Sequence, residues 1–262
     1  MFDFRTDMAD ERREIYRKAN KLEDEIPGIE VEDYAKGEEI KVSKVKIVSK
    51  EGEEAIGKPI GTYITISVKG LKIAGEEEID KTGRVVCEEL KELLEKHIKD
   101  KEDILVVGLG NRKLTPDSLG PKVANEIEIT RHILNYMPEC IDENTRPVSS
   151  IAPGVLGTTG IETLEILKGI VENIKPKLLI VIDSLASKSI ERISTTIQMA
   201  DTGIVPGAGV GNKRNEISVD TLGVPVIAIG VPMVVEAATI IADGLDMFAN
   251  KIEEECKGRN FR

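Results

Sequence analysis

Residues 104–121 read Ile-Leu-Val-Val-Gly-Leu-Gly-Asn-Arg-Lys-Leu-Thr-Pro-Asp-Ser-Leu-Gly-Pro, and this stretch decides the fold. The apolar run at 104–107, ending in glycine, suits a strand covered on both faces, as in the mostly parallel sheets of α/β proteins. In open α/β sheets, ligands and catalytic groups gather where strands give way to loops at their carboxyl edge. Asn111 and Asp117 occupy that edge here. Gly120-Pro121 follows, with Pro121 placed for the first turn of a helix running to about residue 135.

Downstream, strand and helix signals alternate. Residues 151–159 form a glycine-bearing loop that includes Gly154, followed by a helix over 161–174 that Pro176 closes. Residues 178–182 are a second buried strand ending at Asp183, and residues 195–199 a third, leading into Asp201-Thr202-Gly203. The glycine-rich segment 206–212, with Gly209 and Asn212, precedes a strand over 224–231 and a helix over 234–251. Upstream, residues 8–25 carry helical charge patterning with Ile15, Ala19 and Leu22 on one side, until Pro27-Gly28 stops them. Residues 40–48 and 61–68 alternate as half-exposed strands and pair antiparallel around the turn-rich 50–59, and residues 79–97 form an amphipathic helix. The expected fold is therefore α/β: a central mostly parallel or mixed sheet flanked by helices. Residues 101–262 form the core and residues 8–100 an N-terminal α+β elaboration packed on it.

The 262 residues carry 40% hydrophobic and 32% charged side chains, and no apolar run reaches the roughly 20 residues of a membrane helix. The N-terminus lacks the basic and apolar regions of a secretory signal, so a cytoplasmic location and no membrane partner are expected. Cys87, Cys140 and Cys256 are few, distant and odd in number, as reduced thiols are. His97 and His132 are the two histidines, neither at a strand end, so no metal site and no cofactor are expected. A net charge of −11 argues against direct nucleic-acid binding, which calls for a basic surface.

Asp117 and Asp183 each follow a buried strand. If those strands are neighbours, both carboxylates face one crevice, and close carboxylates split their proton affinities so that one serves as base and the other as acid. The competing reading makes both of them caps of the elements that follow. Asp201-Thr202-Gly203 matches the signature of the pepsin-like peptidases, but those are almost wholly β, and helix alternates with strand here. Asp201 is expected at most to line the same crevice. Gly108-Leu-Gly110 lacks the third glycine of the dinucleotide fingerprint, and residues 207–213 miss phosphate-loop spacing because Asn212 precedes Lys213. The glycines around Gly154 and Gly209 more simply let backbone approach a ligand or peptide.

Several segments together resemble the germination protease of spore-forming bacteria. They are Val106-Val-Gly-Leu-Gly-Asn111, Thr115-Pro-Asp-Ser-Leu-Gly-Pro121, Ser150-Ile-Ala-Pro-Gly-Val-Leu-Gly157 and Ile182-Asp-Ser-Leu-Ala186. Thr195-Thr-Ile-Gln-Met-Ala-Asp-Thr-Gly203, Pro206-Gly-Ala-Gly-Val-Gly-Asn-Lys-Arg214 and Leu222-Gly-Val-Pro-Val-Ile-Ala-Ile-Gly-Val-Pro232 complete the set. The resemblance implies an endopeptidase of the spore core that degrades small acid-soluble DNA-binding spore proteins, works as a homotetramer and uses Asp117 and Asp183. It also implies a core like that of the hydrogenase-maturation peptidases, and a zymogen that cuts itself after an acidic residue followed by a large apolar residue, Ala, any residue and Glu. Asp7-Met8-Ala9-Asp10-Glu11 fits, placing the cut between Asp7 and Met8 and making residues 1–7 a propeptide. The rival readings are a catalytically silent module that binds a peptide or small ligand on the same core, and a metal-assisted maturation-type peptidase.

Overall fold

The computed structural model describes residues 5–241 together with 244, 245, 248, 249, 251 and 252. The chain opens with α1 (Ala9–Asn20), then β1 (Ile29–Ala35), β2 (Ile40–Ile47), α2 (Lys50–Ile56), β3 (Gly61–Val68) and α3 (Glu76–Glu95). The second part begins with β4 (Ile104–Gly108), α4 (Leu119–Glu126), α5 (Arg131–Tyr136) and β5 (Val148–Ile151). It continues through α6 (Leu156–Thr159), α7 (Thr163–Ile174), β6 (Leu178–Ser187), β7 (Thr196–Ala200), α8 (Val219–Leu222) and β8 (Val226–Val235).

All eight strands join one mixed sheet in the order β1-β2-β3-β7-β8-β6-β4-β5. Strands β5, β4, β6 and β8 run parallel, and β7, β3, β2 and β1 extend the sheet antiparallel. The fold class and the antiparallel pairing of 40–48 with 61–68 are as expected. The N-terminal strands continue the same sheet through the β3–β7 pair rather than standing apart from it.

Side-chain alternation sorts the core into two layers. On one face Val106, Ile180, Ile182, Ile64 and Ile66 pack beneath Val85 and Leu93 of α3 and Val123 of α4. On the other, Leu105, Val107, Leu179 and Val181 meet Leu164, Leu167 and Val171 of α7. Farther along that second face, Val45, Tyr63 and Ala200 meet Ala9 of α1 and Ile56 of α2. Fully burying one such Leu, Ile or Val side chain is worth roughly 1.5–3 kcal/mol, so these apolar runs dominate the fold.

Four expectations are corrected. The turn-rich 50–59 contains α2: Ser49 caps it by accepting from the Gly52 N–H, Glu51 and Glu53 lie in its first turn, and Gly57 ends it at φ 64°. The single helix expected to residue 135 breaks after Glu126, because Thr130 turns aside to hold β5, its N–H donating to Val148 O and its Oγ1 accepting from Val148 N–H. Strand β6 does not end at Asp183 but pairs with β8 as far as Ser187, with an irregularity between Leu185 and Ala186. Val234 and Val235 belong to β8 rather than to the last helix, which begins at 237 and lies only partly within the described residues; Cys256 lies outside them. No described helix is long and apolar enough to cross a membrane.

Candidate active site

Strands β4 and β6 are neighbours in register, Gly108 opposite Ile182, and the Leu109 N–H continues the ladder to Ile182 O at 2.8 Å. The loop after β4 folds back over this point. Gly110 at φ 113° lets it turn, and a Cβ there would collide with Asp117 O. A Cβ on Gly120 would likewise collide with Leu109 O and Ile182 O, so the start of α4 presses directly on the two strands. This close approach brings Asp117 near enough to Asp183 for its charge to act there.

The two carboxyls differ in surroundings. Asp117 is half-buried, and its Oδ2 accepts from the Asn111 N–H at 2.8 Å. Asp183 is only 6% exposed, inside β6, on the face shared with Leu179 and Val181. Burial pushes its pKa up to about 8; the Ser184 N–H on its Oδ1 opposes this, while the charges of Asp117 and Asp7 add to it. Neither aspartate caps a helix: α4 starts at Ser118 with no side-chain cap, and Asp183 lies within a strand.

The third charge, Asp7, comes from the N-terminal segment, which is seated against the end of β6. The Asp7 N–H donates to Ala186 O and the Ala186 N–H donates to Asp7 Oδ2, each at 2.9 Å. A Cβ on Gly209 would collide with that same carboxylate oxygen, so glycine keeps the seat open. Gln198 of β7 grips the segment from the other side: its Nε2 donates to Asp7 O at 3.1 Å and its Oε1 accepts from the Ala9 N–H at 2.7 Å. Met8 and Ala9 are fully buried. Glu11, itself buried, accepts from the N–H groups of Lys188 at 2.7 Å and Ser189 at 3.1 Å, from Thr6 Oγ1, and from Arg192 Nε at 3.2 Å. Helix α1 has no side-chain cap at Met8, so Asp7 does not cap it; its carboxylate goes to β6 instead.

Asp183, Gly230 and Gln198 form one row across β6, β8 and β7. At about 4.8 Å between strands, the two side chains rise from one face about 10 Å apart, with Gly230 between them. A cavity of about 260 Å³ opens beside this row, lined by Asp7, Lys58, Tyr63, Leu185, Gln198 and Gly230 among others. Packing around the Lys58 ammonium pushes its pKa down to about 8, although Asp7 pulls the other way. A larger groove of about 1280 Å³ runs along α1 beside Glu11 and Arg192, away from both Asp117 and Asp183.

The structure does not bring every sequence candidate together. Asp201 follows the end of β7, which runs antiparallel to β8, and so points away from Asp183: it accepts from the Thr62 N–H at 2.7 Å and lies 4.0 Å from His97 Nε2. Asn111 supports Asp117 through its backbone, its own Oδ1 turning back to the Lys113 N–H. Gly154, at φ 82°, sits before α6, and Asn212 is exposed, its N–H closing a turn onto Gly207 O. Sequence reading missed Gln198 and Arg192, and it had Glu11 only as the last residue of the cleavage-like pattern. The signal for Gln198 was present as an amide between Ile197 and Met199 in a mostly buried strand. Among the described residues, no three His, Cys, Asp or Glu side chains gather closely enough to hold a metal ion.

A family model described as germination protease matches residues 5–261. A germination protease of Clostridium perfringens is 47% identical over 262 residues, covering 100% of this chain and 79% of the relative. One of Clostridium tetani is 48% identical over 258 residues, 98% of this chain and 78% of the relative. One from a Geobacillus species is 46% identical over 263 residues, with 98% and 70% covered.

Proposed function

The chain belongs to the germination protease family, and from that premise we propose that it is an endopeptidase that opens small acid-soluble DNA-binding spore proteins to degradation during germination. In this reading Asp117 takes a proton from a water as its oxygen adds to the scissile carbonyl carbon. Asp183, protonated at neutral pH, gives its proton to the leaving nitrogen as the C–N bond breaks. One water is consumed, and an acid and an amine are released. The observation that carries this assignment is the asymmetry of the pair: Asp183 is buried inside β6, where burial favours its protonated form, and Asp117 is half-buried, where water can reach it.

The same site cuts its own chain between Asp7 and Met8, so the chain is made as a zymogen with residues 1–7 as propeptide. In support, Asp7 stands close enough to raise the pKa of Asp183, and each fixed position of the expected cleavage pattern is individually held. The acid at Asp7 is on Ala186, the apolar pair Met8-Ala9 is buried, and the acid at Glu11 is on Lys188, Ser189 and Arg192. A substrate protein would present the same pattern to the emptied seat. The working form is a homotetramer in the spore-core cytoplasm, which acts on a DNA-binding protein without contacting nucleic acid itself. Sedimentation of the pure chain tests the assembly.

The decisive experiment incubates an acid-soluble spore protein with the wild type, Asp117→Asn and Asp183→Asn. Cutting by the wild type and a loss of at least about 100-fold in each variant is expected. Equal cutting by all three would remove the two aspartates from the mechanism.

A further inference from the structure

We propose that Gln198 is the catalytic donor that binds and polarises the carbonyl of the bond to be cut; this rests on the reading that the Asp7–Met8 bond is a substrate of the site. Its Nε2 donates to Asp7 O, which is the carbonyl oxygen of that bond. The other end of the same amide accepts from the Ala9 N–H, so the side chain straddles the bond and cannot rotate without losing one partner. Gln198 is buried, 7% exposed, where a neutral donor is worth far more than in water and needs no reorganisation as charge develops on the oxygen.

The sheet sets its position. Gln198 shares the row of Asp183 across Gly230, over which the Leu185 side chain packs, so acid and carbonyl donor rise from the same face of the sheet. The Asp7 backbone is fixed independently of Gln198 by the Asp7 N–H bond to Ala186 O and the Ala186 N–H bond to Asp7 Oδ2. The Asp7 backbone therefore keeps two anchors when the Gln198 amide is removed, so docking there and polarisation can be measured apart.

The test follows self-cleavage of the full-length chain by mass spectrometry at mildly acidic pH, as the first-order appearance of a chain beginning at Met8. Wild type, Gln198→Met, Gln198→Asn and Asp183→Asn are compared, and hydrogen exchange at the Asp7 amide reports docking. Gln198→Met removes the donor; Gln198→Asn keeps the polarity of the strand but draws the amide back from Asp7 O. Both are expected to slow cleavage by about 100- to 1000-fold while the Asp7 amide stays protected. Cleavage within threefold of wild type in either variant overturns the proposal. So does loss of Asp7 protection in parallel with the rate, which would assign Gln198 to docking alone. A wild type that never cuts overturns both this proposal and the reading beneath it, whereas a wild type that cuts together with unimpaired Gln198 variants overturns only this one.

Discussion

Asp7 and Ala186 hold each other through two hydrogen bonds, backbone to backbone and backbone to carboxylate, although 179 residues separate them. The pair makes the N-terminal segment an extra partner for the end of β6, a few residues beyond Asp183. Replacing Asp7 with Ala leaves the buried Ala186 N–H unpaired, which costs about 1–3 kcal/mol. Faster hydrogen exchange over residues 6–9 is the expected outcome, with little change in the exchange of β4 and β6.

Gly209 offers a cleaner way to empty the seat. A Cβ at this position would collide with the Asp7 carboxylate and crowd Ala186, while Asp183 and Asp117 stay untouched. Gly209→Ala is expected to abolish cleavage at Asp7–Met8 and to expose the segment to limited proteolysis at Arg12 and Arg13. Mass spectrometry of the incubated chain and of its tryptic fragments checks both.

Glu11 anchors the far end of the segment. Its carboxylate, itself buried, takes donors from two backbone N–H groups, a hydroxyl and Arg192. Glu11→Ala strands those donors and should weaken the seating of α1 by about 2–4 kcal/mol, since bonds to a charged acceptor are the costly ones to lose. A lower denaturation midpoint for α1, read by exchange or by a local probe, is the outcome to look for.

Asp183 ties stability to pH. Its folded pKa of about 8 lies above the ordinary carboxyl value, so the folded state holds the proton more tightly than the unfolded chain does. The stabilisation this gives is complete below about pH 4 and is lost as pH rises through 8, with an upper bound on the order of 5 kcal/mol. Asp183→Asn has no such proton to lose. Its melting temperature relative to the wild type should therefore climb between pH 4.5 and pH 8.5, even as its activity disappears; a difference that stays flat with pH would contradict the buried, neutral acid.

Much of this was legible from local chemistry. The apolar runs at 104–107 and 178–182 announce buried strands because a strand covered on both faces has no polar positions to spare. The end of the first placed Asp117, and the second ran straight into Asp183. The signals for α2 were equally local, Ser49 before it and Gly57 after it, but the glycine at position 52 pulled the reading toward a turn.

What sequence by itself determined is therefore the class of fold, the antiparallel N-terminal pair and two acidic side chains that each follow a buried apolar run; that the two runs are neighbours came from the sheet. Tertiary structure alone decided which further groups meet them. Strand β7 enters the sheet antiparallel to β8, which turns Gln198 onto the row of Asp183 and carries Asp201 away toward Thr62 and His97. The direction of a strand relative to its neighbour is set by pairing between distant segments, and the seat of Asp7 by a contact spanning most of the chain. Neither leaves a mark on the local pattern of residues, because each energy is gained only once the sheet has closed.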